Sequence, residues 1–185
     1  MNITKLENNL VKISTSKNDV FWGDNSFNKN DQQGIFLHQN FKKDIDKFTE
    51  KEFHISWPGE FEISGISISS FLVSEKLLVF KIFAKNLRTL LLSQINKPFS
   101  EKEIDKFGNI DGIIFNLEKI SISRKILKQF IEDIEPRFVI FLGDQAKLSE
   151  IQNELNISSD EIVSNNEIEI SPKNLNSEKT KYFQL

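Results

Sequence analysis

Over the first hundred residues the apolar positions come in short runs broken by Asn, Asp, Gly and Pro, the pattern of strands and tight turns. Ile3–Leu6 and Leu10–Ser14 are two such runs, and Asn8-Asn9 between them predicts a hairpin turn. Asp19–Asp24 (DVFWGD) and Gly34–Gln39 (GIFLHQ) predict two further strands, with the polar stretch NSFNKNDQQ between them as an exposed loop. Phe41, Ile45 and Phe48 recur at helical spacing, so residues 41–52 predict a short helix. FHISWPGEFEISGISISSFLV predicts two alternating strands around Pro58-Gly59, with a period of two running through Glu62–Ile68. LLVFKIF and LRTLLLSQ, hinged at Ala84-Lys85-Asn86, predict another hairpin, and their long aliphatic runs predict strands covered on both faces.

After residue 98 the pattern changes to strand–helix alternation. Ser100-Glu-Lys-Glu103 is a capping box in front of a short helix. DGIIFNL (111–117) and RFVIFLG (137–143) predict buried strands. Between them Ser121 or Ser123 opens a helix whose stripe is Ile126, Leu127, Phe130, Ile131 and Ile134, ending before Pro136. Residues 144–155 predict a helix, and EIEI and KYFQL close the chain as short strands. Hairpins followed by alternation fit a layered α/β sandwich better than a barrel or a plain Rossmann fold. With 185 residues and no linker or repeat, residues 1–185 are expected to form one domain.

Composition narrows the chemistry. Hydrophobic residues make up 38% and charged residues 28%, enough for a real core in a soluble protein. The chain has no cysteine, which removes disulfides, thiolate zinc sites and cysteine nucleophiles together. With no apolar run long enough to span a bilayer and no signal-peptide pattern at MNITKLENNL, a cytoplasmic location is expected and no membrane partner. Net charge is −3 and only Arg88, Arg124 and Arg137 provide guanidinium groups, which argues against a nucleic-acid partner. The 17 phenylalanines sit in apolar runs and read as core.

Only two histidines, His38 and His54, are available for catalysis or metal binding. A catalytic zinc site takes about three protein ligands. The sole candidate is therefore a minimal one, with both histidines and a carboxylate such as Asp24 or Asp144; no ligand spacing supports it, and no metal or other cofactor is expected. There is no G-x-S-x-G elbow, no G-x-G-x-x-G and no Walker-type loop. Glu60 and Glu62, two apart on a strand, share a face, where paired acids are usually solvated.

Three stretches resemble the metallo-β-lactamase fold, in particular its short bacterial branch of hydrolase-like proteins related to ascorbate-phosphate lactonase. Trp57–Ile66 (WPGEFEISGI) is similar to that branch's GPGEYEVxGV hairpin, Asn109–Phe115 to its xDVDILFVP strand, and Phe130–Ile140 (FIEDIEPRFVI) to its VxxIEPRIVIPMHY helix–strand step. KTKYFQL takes the place of its final strand. The resemblance implies a compact, single-domain four-layer αββα sandwich. It also implies a metal site that this chain does not carry over. Where the family has H-x-H-x-D-H after a strand, residues 38–44 read His38-Gln-Asn-Phe-Lys-Lys-Asp44, with one histidine. Gln94 stands at the bridging acid, Gly143 at the last histidine and Asn8-Asn9 at an early Gly-His. Asp24 at the family's IDP position, His38, Glu60, Gln94 and Gly143 are left as candidates for a vestigial cleft, with no catalytic residue among them.

A metal-bound hydroxide needs strong ligands to lower the pKa of its water, and Gly and Gln cannot replace carboxylate and imidazole. The resemblance thus implies a catalytically inactive member, a pseudo-hydrolase serving as a binding or structural subunit with a protein partner or a second copy of itself. The alternatives are a divergent metal-dependent hydrolase of esterase or phosphodiesterase type, and a nucleic-acid accessory protein.

Overall fold

A computed structural model describes residues 1–6, 10–16, 18–23, 33–40, 52–143, 145–175 and 179–185. The expected Asn8-Asn9 turn, the 41–51 part of the expected helix, most of the 25–33 loop and residues Asp24, Asp44 and Asp144 lie outside these. The strands run β1 (Asn2–Lys5), β2 (Val11–Ser14), β3 (Asp19–Gly23), β4 (Gly34–His38), β5 (Glu52–Ile55), β6 (Gly59–Ile63), β7 (Ile66–Leu72), β8 (Leu78–Ala84) and β9 (Leu87–Leu92). Then come α1 (Glu101–Phe107), β10 (Gly112–Asn116), α2 (Arg124–Ile134), β11 (Phe138–Leu142), α3 (Gln145–Leu155), β12 (Ile162–Ser164), β13 (Glu167–Glu169) and β14 (Lys181–Gln184).

Two sheets form. The first has the order β13-β1-β2-β3-β4-β5, the second β12-β14-β11-β10-β9-β8-β7-β6. Their facing sides interdigitate: Ile3, Val11, Ile13, Val20, Trp22, Ile35, Leu37 and Ile55 of the first meet Ile66, Ile68, Phe80, Ile82, Leu91, Ile114 and Ile140 of the second. Each set occupies alternate positions along its strands, as the pleat requires. The opposite face of the second sheet packs under the helices. Leu127, Phe130 and Ile131 of α2 meet Ile113, Phe115, Val139 and Phe141, and rings run in contact from Phe71 through Phe107, Phe99, Phe130, Phe115 and Phe141 to Tyr182. Much of the phenylalanine content is thus core. β9, β10 and β11, covered on both sides, are buried almost throughout, as their aliphatic runs predict.

The helix boundaries follow local chemistry. Both capping-box bonds form at α1, and the hydrogen bonds from the Ser100 backbone and hydroxyl hold the Glu103 carboxyl below its ordinary pKa. Ser123 caps α2, Glu135 ends it in the left-handed conformation at φ 51°, and Pro136 prevents its extension. Lys85 and Asn86, at φ 54° and 60°, make the expected turn between β8 and β9.

One expectation is corrected. The strands on either side of Pro58-Gly59 fall in different sheets: β5 lies parallel to β4 in the first sheet, and Ser56–Pro58 carries the chain across to the second. The hairpin turn is at Ser64-Gly65, with φ 52° and 71°, so Glu62–Ile68 is two antiparallel strands. Ile63 and Ile66 pair across it, and that three-residue step between inward isoleucines interrupts the period of two.

Candidate functional site at the strand ends

Parallel pairing lines up strand ends. Gly23 is level with His38, and Leu37 with Ile55. In the second sheet Phe115 is level with Leu92, Asn116 with Leu142, and Phe141 with Gln184. The carboxyl ends of parallel strands are where α/β folds commonly place ligand sites. The residues there or one or two steps beyond are largely neutral and polar: His38, Gln39, Ser56, Ser93, Gln94, Asn116, Gly143 and Gln184. Gln39 joins the two sheets. Its backbone carbonyl accepts from Leu78 N at 2.8 Å, and its side-chain Oε1 accepts from Gln94 Nε2 at 3.2 Å.

The histidines lie on the other side of the first sheet. Ile35, Leu37, Phe53 and Ile55 point to the inter-sheet core, so alternation turns Phe36, His38, Glu52 and His54 to the opposite face. There His38 Nε2 is 2.8 Å from His54 Nδ1, and His54 Nε2 is 3.4 Å from Glu52 Oε2. The His54 ring stacks on Phe36 at 4.8 Å and Phe36 on Phe21 at 5.0 Å. A carboxylate only accepts, so Glu52 favours the proton on His54 Nε2. In neutral His54 the Nδ1 is then an acceptor, and His38 Nε2 donates to it.

The remaining candidates are dispersed. Gly143 stands at the strand-end edge, where its carbonyl accepts from Gln184 Nε2 at 3.5 Å; a Cβ there would sit 3.1 Å from that of Leu117. Glu60 is exposed on the edge strand β6, in a cross-strand row with Ser69 and Lys81 on the face away from the inter-sheet core. Lys81, whose ammonium donates to Phe107 O at 2.8 Å, has its pKa lowered by burial first and by Arg88 second. Asp24 lies outside the described residues. The structure therefore brings Gln94 to the residue next to His38, sets Gly143 at the same edge, and keeps Glu60 apart. Gln39, Glu52 and the contact between the two histidines were missed in the sequence. The i, i+2 spacing of Glu52 and His54 was the one available signal.

These donors do not fit a metal ion as they stand. Two zinc-bound nitrogens in tetrahedral geometry lie about 3.3 Å apart. At 2.8 Å the imidazole nitrogens face each other across a shared proton. Among the described residues no group of three or more His, Asp or Glu side chains is placed to hold a metal. Asp24 and Asp144, the carboxylates named as examples for the minimal site, are not among those residues.

The architecture has solved counterparts. A candidate zinc-dependent hydrolase of the metallo-β-lactamase superfamily from Thermotoga maritima superposes with a TM-score of 0.74 at 12% identity, over 99% of this chain and 98% of that one. The fold is that of the metallo-β-lactamases. The metallo-β-lactamase fold protein YhfI from Bacillus subtilis matches with a TM-score of 0.55 at 7% identity, over 84% of this chain and 93% of its own. The CmlA β-hydroxylase, as an E377D mutant, matches with a TM-score of 0.59 at 8% identity, over all of this chain but 52% of that one. No family model matches the sequence, and no curated protein does. The shared metallo-β-lactamase fold is mixed α/β with two sheets, as expected. The helices among the described residues number three, and the core contacts place α1, α2 and α3 against the second sheet.

Proposed function

We propose that the chain is a catalytically inactive metallo-β-lactamase-fold protein, a single cytoplasmic domain that serves as a binding or structural subunit for a protein partner or a second copy of itself. The observation that carries this reading is the engagement of the two described side chains at the family's ligand positions: His38 with His54, Gln94 with Gln39. Gly143 offers no side chain at all. A neutral amide pair linking the sheets and an imidazole pair, with the His54 ring stacked on Phe36, stabilise a scaffold.

The test is elemental analysis of the purified, untagged protein, paired with thermal unfolding before and after chelation. Metal well below one equivalent and an unchanged melting temperature are expected. About one equivalent of zinc or manganese, lost in His38→Ala or His54→Ala, would overturn the proposal and establish a minimal metal-dependent hydrolase.

A further inference from the structure

The sandwich is open along one side. β12 ends the second sheet and β13 ends the first, and between them lies a groove of about 830 Å³ lined from both sheets, within the range of small-molecule sites. Its floor is apolar. Val163 and Phe183 pair in register on the inner face of the second sheet, and Ile170 and Leu175 supply the opposite wall. Val163 is 48% exposed although it belongs to the face that elsewhere forms the core. The first sheet does not reach far enough to cover it.

The rim carries cations. Lys181 lies on the same face as Phe183, two positions earlier, and donates to the Asn174 carbonyl; Lys173 stands one residue before Asn174. Neither has a carboxylate partner among the described residues. The third lysine, Lys179, is taken by Glu161 at 2.6 Å. Glu169 borders the groove too, but alternation sets it opposite the inward Ile168 and Ile170.

An apolar floor exposed at Val163, beneath two ammonium groups that have no carboxylate partner among the described residues, suits a molecule with a long apolar body and one acidic head. We propose that this groove binds a long-chain fatty-acid anion, its alkyl chain along Val163, Ile170, Leu175 and Phe183 and its carboxylate at Lys173 and Lys181. The site is separate from the strand-end edge and independent of whether that edge holds metal.

The probe is displacement of fluorescent cis-parinaric acid from the full-length protein by palmitate, myristate, laurate and cetyl alcohol. Palmitate is expected to compete at one equivalent. Affinity should fall about fourfold for each methylene removed, and cetyl alcohol, lacking the charge, should compete at least about tenfold more weakly. Val163→Asp and the double variant Lys173→Glu/Lys181→Glu should each weaken palmitate by at least about tenfold. Leu72→Asp, which alters an exposed apolar residue on a different strand, should leave binding unchanged. Thermal melts certify that each variant is folded. Absence of competition by palmitate, equal competition by cetyl alcohol, or retained affinity in either groove variant would each overturn the proposal.

Discussion

Gly112 illustrates how one atom can decide local packing. A Cβ on Gly112 would lie 1.9 Å from Cζ of Phe138, its register partner on β11, and both residues are fully enclosed. Gly112→Ala should therefore destabilise the fold by about 1–3 kcal/mol through overpacking, read as a lower urea midpoint with an unchanged slope; an unaltered midpoint would show that the ring can swing aside. Tyr182 is the only tyrosine, so its phenolate can be followed alone. Burial, the largest cause, raises its pKa above the ordinary value of 10.0. The phenol is thus neutral in the folded protein where the unfolded chain has begun to ionise. Its contribution is complete below the unfolded pKa and declines as pH rises through the folded one. Absorbance titration should place the midpoint higher in the native protein than in urea, and identical midpoints would refute this. Glu161 works in the opposite sense: its bonds to Lys179 and then Ser158 lower its pKa from 4.5 to about 2, so its contribution is complete above the unfolded value and is lost progressively as pH falls through the folded one. Such effects were illegible in the sequence, because Gly112 and Phe138 are joined by strand register and nothing in the chain marks that pairing.

Elements were more legible than contacts. The capping serines, Pro136 and the apolar stripe of α2 are local signals, and each acts within a turn or two of its own position. Ser123 accepts from Ile126 N at 3.4 Å, so Ser123→Ala should cost about 1 kcal/mol in chemical denaturation. A Ser123→Asp variant should retain most of that stability; equal losses in both would mean the cap is immaterial. The unbroken period of two expected through Glu62–Ile68 shows where local reading fails. Pro58-Gly59 is the strongest turn dipeptide in its segment, yet the turn falls at the less conspicuous Ser64-Gly65, since a sheet-to-sheet crossing and a hairpin use the same residues.

For the molecule as a whole, the layered sandwich was readable from hairpins giving way to alternation, and the neighbouring structures share that fold despite identities of 7–12%. Core packing tolerates wide exchange of apolar residues, so fold outlives sequence. The candidate site was readable only as a list of losses. What stands there, an imidazole pair and an amide pair, depends on which strands become neighbours, and the sixteen positions from His38 to His54 give no hint of it. The same long-range logic governs the first sheet. β1 is flanked by β2 and by β13, Asn2 pairing with Glu169, and the Met1 amino group donates to Ile170 O at 2.9 Å. A chain emerging from the ribosome cannot complete that sheet until residues 167–170 have been made. Until then one edge of β1 stays unpaired, a vacancy that a neighbouring nascent chain could fill, and high-contact-order closure of this kind is slow. Translation speed over the stretch that leads up to residues 167–170 thus sets how long the unfinished edge is on offer.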